Sequence, residues 1–242
     1  MSALVGVGVG PGDPELVTVK AVRVLEAAGV VVVPVMDLAE QGRAEHTVRA
    51  NVAHDRLQRL LFALDDRGGV TEARRTAWEA AADEVARLLR ETGGTVAFAT
   101  IGDPNVYSTF TYLADAVRER VPDVEVSTVP GITAMQDLAA RSGTVLCEGT
   151  ESLALLPLTA GVPAFEEALQ HFDTVVAYKG GRRMPEVLDV LRRHGRDGDA
   201  VFGAALGLAD EQVGPAAAVE GEAPYLSTVL VPARRTTRGG KL

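Results

Sequence analysis

Apolar positions along this chain follow two alternating rhythms. Short runs, often β-branched, cover Ala3 to Val9, Val30 to Val35, the stretch from Thr95 through Val96 and Phe98 that Gly102 ends, and Val124 to Val129, with a weaker one at Leu57 to Leu64. Such runs read as buried strands. Between them, apolar residues recur three and four apart, the signature of helices with one buried face. The spacing predicts helices over Thr18 to Ala28, over Thr71 to Arg90 and from about Ser108 to Arg120. In the second, Ala77, Ala81, Val85, Leu88 and Leu89 face inward while Asp83, Glu84 and Arg87 face water, and Trp78 is expected to pack. In the third, Phe110, Leu113, Ala114 and Val117 form the inner stripe. A further helix follows at Ala134 to Ala140, with Thr133 as its cap. Residues 37 to 54 are polar and read as a long loop with a short helix. From Ser142 the pattern restarts: strands at Leu153 to Leu158, Thr174 to Tyr178, Ala200 to Ala205 and Leu226 to Val231, and helices at Phe165 to His171 and Met184 to His194 with Val187, Leu188 and Leu191 inward. The alternation implies an α/β protein in two parts, residues 1–125 and 126–235. The basic, glycine-bearing end from Ala233 reads as loose, with 236–242 as a flexible tail.

Turn formers punctuate the strand ends. The first strand runs into Gly6-Val7-Gly8-Val9-Gly10-Pro11-Gly12-Asp13, the fourth into Gly102-Asp103-Pro104, the fifth into Pro130-Gly131-Ile132-Thr133. In an open α/β sheet ligands bind at the carboxyl ends of strands, so three such turns mark one edge as a candidate site. The first turn fails the dinucleotide fingerprint in both registers, because Pro11 fills the last place counted from Gly6 and Asp13 the last counted from Gly8. That removes the main support for an NAD-dependent oxidoreductase. What the glycines license is a close approach of backbone to something, since no Cβ stands in the way.

Composition narrows the reading. The 242 residues are 47% apolar, enough for a substantial core, and carry a net charge of -9 with a pI near 5.0. Nucleic-acid binders display a positive footprint, so no nucleic-acid partner is expected. No charged-then-apolar leader opens the chain and Val30 to Val35 is too short to cross a bilayer, which together imply no membrane partner and a cytoplasmic protein. The single cysteine, Cys147, forms no internal disulfide and is expected as a small buried core residue. His54, His171 and His194 lack metal-ligand spacing, and no metal is expected.

The motifs GVGPGDPELVTVKAVRVL, TIGDPNVYSTFTYL, VPGITA, AYKGGR and PYLST, in that order along the chain, resemble those of the tetrapyrrole methylases. The turn Gly102-Asp103-Pro104 continuing as Val106-Tyr107-Ser108-Thr109, with the PYLST ending, is most similar to the branch that methylates C20 of precorrin-2 to precorrin-3A on the way to cobalamin. The resemblance implies two α/β domains, S-adenosyl-L-methionine bound in the cleft between them, a tetrapyrrole substrate and a homodimer. It places cofactor contacts at Pro11, Ile101, Gly102, Asp103, Val106, Thr133, Ala134, Lys179 and Leu206, with Ser108 and Thr109 as polar neighbours. Two departures stand out. Ala204 and Ala205 occupy places where relatives often carry a Glu-Arg pair, and Lys179 stands where methionine is common. A sibling methylase, acting on uroporphyrinogen III or another precorrin position, shares every cofactor motif, and a non-catalytic binding module of the same fold is a third reading.

Transfer of a methyl group from a sulfonium to carbon is an in-line displacement that asks the protein to align two reactants and exclude water. A proton must then leave the methylated carbon, for which Tyr107, Asp103 and His46 are candidate bases. A substrate bearing several carboxylates calls for local cations, and Arg43, Arg49, Arg182 and Arg183 are the candidates.

Overall fold

The structure is a computed structural model that describes residues 2–53, 55–62 and 71–236. It divides into two compact units, Met1–Thr133 and Ala134–Leu242.

The first unit is built on five parallel strands: β1 (Ala3–Gly8), β2 (Val30–Val35), β3 (Leu57–Leu61), β4 (Thr95–Thr100) and β5 (Glu125–Val129), in the order β3-β2-β4-β1-β5. Side chains alternate across the strands, so each face feeds its own core. On one face Leu4, Val30, Val32, Val96 and Phe98 pack under α3 (Glu72–Thr92) and α4 (Phe110–Arg120). Phe98 is the centre of that core, with the rings of Phe62 and Phe110 each 5.8 Å away. On the other face Val5, Val7, Val31, Val33, Ala97 and Ala99 pack under α1 (Val19–Ala27) and α2 (Arg43–Asn51). Burying each large aliphatic or aromatic side chain in this way stabilises by about 1.5–3 kcal/mol. Thr18 opens α1 by accepting a hydrogen bond from Ala21 N at 3.1 Å, and Thr71 does the same for Arg74 N in α3, which ends on the left-handed Gly93. Trp78 stacks on Tyr112 at 4.7 Å, a packing role as expected.

The boundary lies beyond the anticipated 125/126 because β5 is hydrogen-bonded along β1 from Ala3 to Val7 and therefore belongs to the first sheet. α4 begins two residues later than its apolar rhythm suggests, since the Ser108 hydroxyl accepts Phe110 N at 3.2 Å and holds the chain in a turn until there. The expected third strand is described to Leu61; its last two positions, like His54, lie outside the described residues.

The second unit holds a mixed sheet of β6 (Leu153–Pro157), β7 (Thr174–Tyr178), β8 (Val201–Ala204), β9 (Gln212–Pro215) and β10 (Ser227–Val231), ordered β6-β7-β10-β8-β9. Only β6 and β7 run parallel. One face packs against α6 (Pro163–His171) and α7 (Met184–Arg193) through Phe165, Met184, Val187, Leu188 and Leu191. Against the other lies α5 (Ala134–Ser142), whose Leu138 leaves no room for a side chain at Gly203. β9 was not anticipated: Gln212, Val213 and Pro215 are exposed, so this edge strand has no apolar run to betray it. Cys147 is exposed, not buried, because it lies in the irregular segment before β6 rather than in an element with an inward face. The chain from Ala233 to Arg235 is held, not loose: Ala233 N donates to Thr174 Oγ1 at 3.0 Å, Arg234 pairs with Asp199 at 2.7 Å and Arg235 with Glu151 at 2.9 Å. Residues 237–242 of the proposed tail lie outside the described residues. No described helix is long and apolar enough to cross a membrane.

Candidate functional site

Because β4, β1 and β5 are neighbours and parallel, the three glycine turns that follow them emerge at the same edge of the first sheet. They touch. Gly102 N donates to Gly10 O at 2.7 Å, and Val9 N to Thr100 O at 2.9 Å. A methyl carbon on Gly8 would stand 2.6 Å from both Gly102 O and Gly131 N, and one on Gly131 would overlap Gly102 O. So the close approach that glycine permits at Gly8 and Gly131 is that of one turn to another. Gly102 differs. Its φ of 71° is a conformation that side chains disfavour, yet a methyl carbon there would meet nothing within 4 Å. The backbone at Gly102 therefore borders open space.

Asp103 fastens this cluster. Its Oδ1 accepts Asn105 N at 2.8 Å and its Oδ2 accepts Gly131 N at 2.9 Å, and the residue is 9% exposed. One carboxylate thus closes its own turn and ties the β4 turn to the β5 turn by charge-assisted bonds. Asn105 Nδ2 adds a bond to Thr128 Oγ1 at 3.2 Å, and Ser108 joins Thr100 hydroxyl to hydroxyl at 3.1 Å. Tyr107, half-exposed, sits at a φ of 49°, an uncommon strain for an aromatic residue. Burial pushes its phenol above the ordinary 10.0, so it stays protonated at neutral pH and can donate but not accept a proton.

Pro11, Ile101, Gly102, Asp103, Val106, Ser108, Thr109 and Thr133 are all on or within a few residues of these turns. Ala134, Lys179 and Leu206 belong to the second unit. There Lys179 (φ 59°) follows β7 and Ala205 (φ 51°) follows β8, two non-glycine residues in the left-handed region. Lys179 N donates to Ser227 O at 3.1 Å, and Ser227 pairs with Ala204 across the sheet. Ser227 Oγ is buried without a hydrogen-bond partner. The Tyr178 hydroxyl accepts Met135 N at 2.7 Å, joining the end of β7 to the first turn of α5 beside Ala134. Two conformationally costly turns, at Lys179 and Ala205, thus lie beside Tyr178 and Ser227. Tyr178 and Ser227 are not among the residues picked from the sequence, though the AYKGGR and PYLST motifs that contain them were the available signal; Ala205 was marked there only as a departure.

The predicted cations fare differently. Arg49 is committed to Glu45 at 2.8 Å, and Arg183 to Glu186 at 3.2 Å on an exposed surface. Arg43 opens α2 half-buried, Arg182 is exposed, and His46 is exposed on α2. α2 rests against the first turn: Asn51 Nδ2 donates to Pro14 O at 2.9 Å, and the Thr47 hydroxyl lies 3.4 Å from Gly12 O.

Comparison with known proteins places this geometry among relatives. Residues 3–220 match the model for "Tetrapyrrole (Corrin/Porphyrin) Methylases". The chain is 32% identical over 242 aligned residues to the "Precorrin-2 C(20)-methyltransferase" of Sinorhizobium sp, covering 95% of this chain and 94% of that one. It is 30% identical to the "Cobalt-precorrin-2 C(20)-methyltransferase" of Salmonella typhimurium over 79% of this chain and 78% of that one. It spans about half, 46%, of the "Cobalamin biosynthesis protein CobIJ" of Mycobacterium tuberculosis, at 34% identity over 95% of its own length. Among solved structures, a uroporphyrin-III C-methyl transferase of Thermus thermophilus complexed with S-adenyl homocysteine shares the fold, with a TM-score of 0.62 at 23% identity over 94% of this chain and 96% of that one.

Proposed function

The chain belongs to the tetrapyrrole (corrin/porphyrin) methylases, and from that premise we propose that it transfers a methyl group from S-adenosylmethionine to C20 of precorrin-2, giving precorrin-3A in cobalamin synthesis. The observation that carries the reading is the 32% identity to a precorrin-2 C20-methyltransferase over nearly the full length of both chains. The described residues of the first unit fit a bound S-adenosylmethionine: Gly102 leaves open backbone at a turn edge. When bound, that cofactor supplies an electrophilic methyl on a positively charged sulfur, so no protein nucleophile is needed.

The chain's own residues then have a positioning task. Asp103 keeps the β4 and β5 turns in register, and Gly102 keeps a side chain out of the space above them. Pro11, Ile101, Val106, Ser108, Thr109, Thr133, Ala134, Lys179 and Leu206 line the cofactor. Arg43, Arg182 and Arg183 meet substrate carboxylates, with Arg49 contributing only what Glu45 leaves of it. Both carboxylate oxygens of Asp103 already accept main-chain bonds and Tyr107 stays protonated, so the proton released after methylation passes to solvent or to His46. The same reading includes a cytoplasmic location and a homodimer, the latter tested by sedimentation of the purified chain.

The deciding experiment incubates the protein with methyl-labelled S-adenosylmethionine and precorrin-2, in metal-free and cobalt-loaded forms. Label at C20 is the expected outcome. Label on another carbon, or transfer only when uroporphyrinogen III or another precorrin is supplied instead, supports a sibling methylase, and no transfer to any of these leaves a binding module.

A further inference from the structure

The only charged side chain among the described residues with no exposure at all is Glu45, and no step of methyl transfer uses it. It lies in α2 at the centre of four segments. Its Oε1 accepts Arg49 Nε at 2.8 Å from the same helix and Arg59 Nη2 at 3.0 Å from β3; its Oε2 accepts Arg59 Nε at 2.6 Å. Arg59 then spends Nη1 on Leu38 O at 2.8 Å, closing the loop between β2 and α2. One turn further on, the helix reaches the first glycine turn. Asn51 uses both amide hydrogens, on Pro14 O at 2.9 Å and Thr47 O at 3.1 Å. The Thr47 hydroxyl shares its single proton between Gly12 O at 3.4 Å and Arg43 O at 3.3 Å.

A buried carboxylate is tolerated only when its charge is compensated, and breaking one partner of such a set is costly because the remainder stays buried and uncompensated. Removing Glu45 would leave Arg59 and Arg49 facing each other with no anion between them. Arg49, 53% exposed, can turn into water, but Arg59 is 28% exposed and its two bonds to Glu45 tie β3 to α2, so losing them frees α2, the helix that grips the carbonyls of Gly12 and Pro14. We infer that Glu45 is a positioning residue: by fixing α2 against β3 through Arg59, it sets the conformation of the Gly10 to Pro14 turn and thereby tunes affinity for the methyl donor without touching it. This rests on the cofactor reading above for its consequence, but not for its structural half.

The test uses the full chain with Glu45→Gln, Asn51→Ala and the double variant. Hydrogen–deuterium exchange is read on the segment 9–17, with the β4 segment 95–100 as an internal control, and S-adenosylhomocysteine binding is read by calorimetry. The expected result is faster exchange in 9–17 with 95–100 unchanged in both single variants. The dissociation constant should rise about fivefold, the worth of one ordinary hydrogen bond. The double variant should be no weaker than the worse single one, because both act along one line of contacts. In turnover, KM for S-adenosylmethionine should rise while kcat at saturation holds. Unchanged exchange in 9–17, or losses that add in the double variant, overturns the inference. So does general acceleration in Glu45→Gln with no change in Asn51→Ala, which would make Glu45 a global stability element only. If the unaltered protein binds no S-adenosylhomocysteine, the cofactor reading fails instead, and the exchange data alone decide whether the brace exists.

Discussion

Gly131 and Gly102 look alike in sequence and differ in consequence. A methyl at Gly131 overlaps the Gly102 carbonyl and crowds Gly8, all backbone that cannot step aside, so Gly131→Ala should lose about 3 kcal/mol or more of stability, or fail to accumulate folded. Gly102→Ala meets no atom and carries only the left-handed cost of about 1 kcal/mol, while its methyl enters the space assigned to the ligand. Urea denaturation and calorimetry separate the two: the first variant is lost to unfolding, the second stays folded and loses S-adenosylhomocysteine affinity at least ~10-fold. Asp103→Asn tests the fastener. One oxygen becomes an amide that cannot accept from an N–H, so a turn loses a charge-assisted bond, and the urea midpoint should fall by the equivalent of about 1–3 kcal/mol.

Between elements, paired carboxylates set the response to acid. The guanidinium of Arg59 above all, with Arg49, holds Glu45 below its ordinary 4.5, and Arg235 does the same for Glu151, which ties the end of the chain to the segment before β6. A carboxyl depressed in the folded state contributes stability that is fully present above its unfolded value and is lost as pH falls through its folded one. Stability should therefore hold down to about pH 4.5 and decline below it. In Glu45→Gln the decline below that pH should be shallower, starting from a lower plateau, as urea midpoints across pH 7 to 3 would show. The same elements show what periodicity can and cannot reach. Val30 to Val35 and the Phe110, Leu113, Ala114, Val117 stripe were legible because burial imposes a rhythm on sequence. β9 was not, because an edge strand with exposed positions obeys no such rhythm, and Cys147 was misplaced because small size alone does not say inside.

For the assembled protein the prediction concerns the substrate. Replacing Arg182 and Arg183 together by alanine should raise KM for the tetrapyrrole while the affinity for S-adenosylmethionine is kept; Arg183 loses only an exposed pair with Glu186, so folding should be little changed. Steady-state kinetics with each reactant varied in turn read this directly, and unchanged constants remove both arginines from the site. The relatives bear on this level too, since matched motifs in register along nearly the whole chain identify a reaction class that no single turn does.

By itself the sequence determined the strand and helix rhythm of both units, the three glycine turns and the family motifs, because each is written in contiguous residues under local constraint. Only the tertiary structure decided what those glycines approach, that Asp103 links two turns 28 positions apart in the chain, that Arg49 answers to a buried Glu45, and that Lys179 and Ala205 sit in left-handed backbone. The physical reason is that hydrogen bonds, charge compensation and backbone contact depend on where strand order brings distant residues, and the order β4-β1-β5 is a property of the packed sheet.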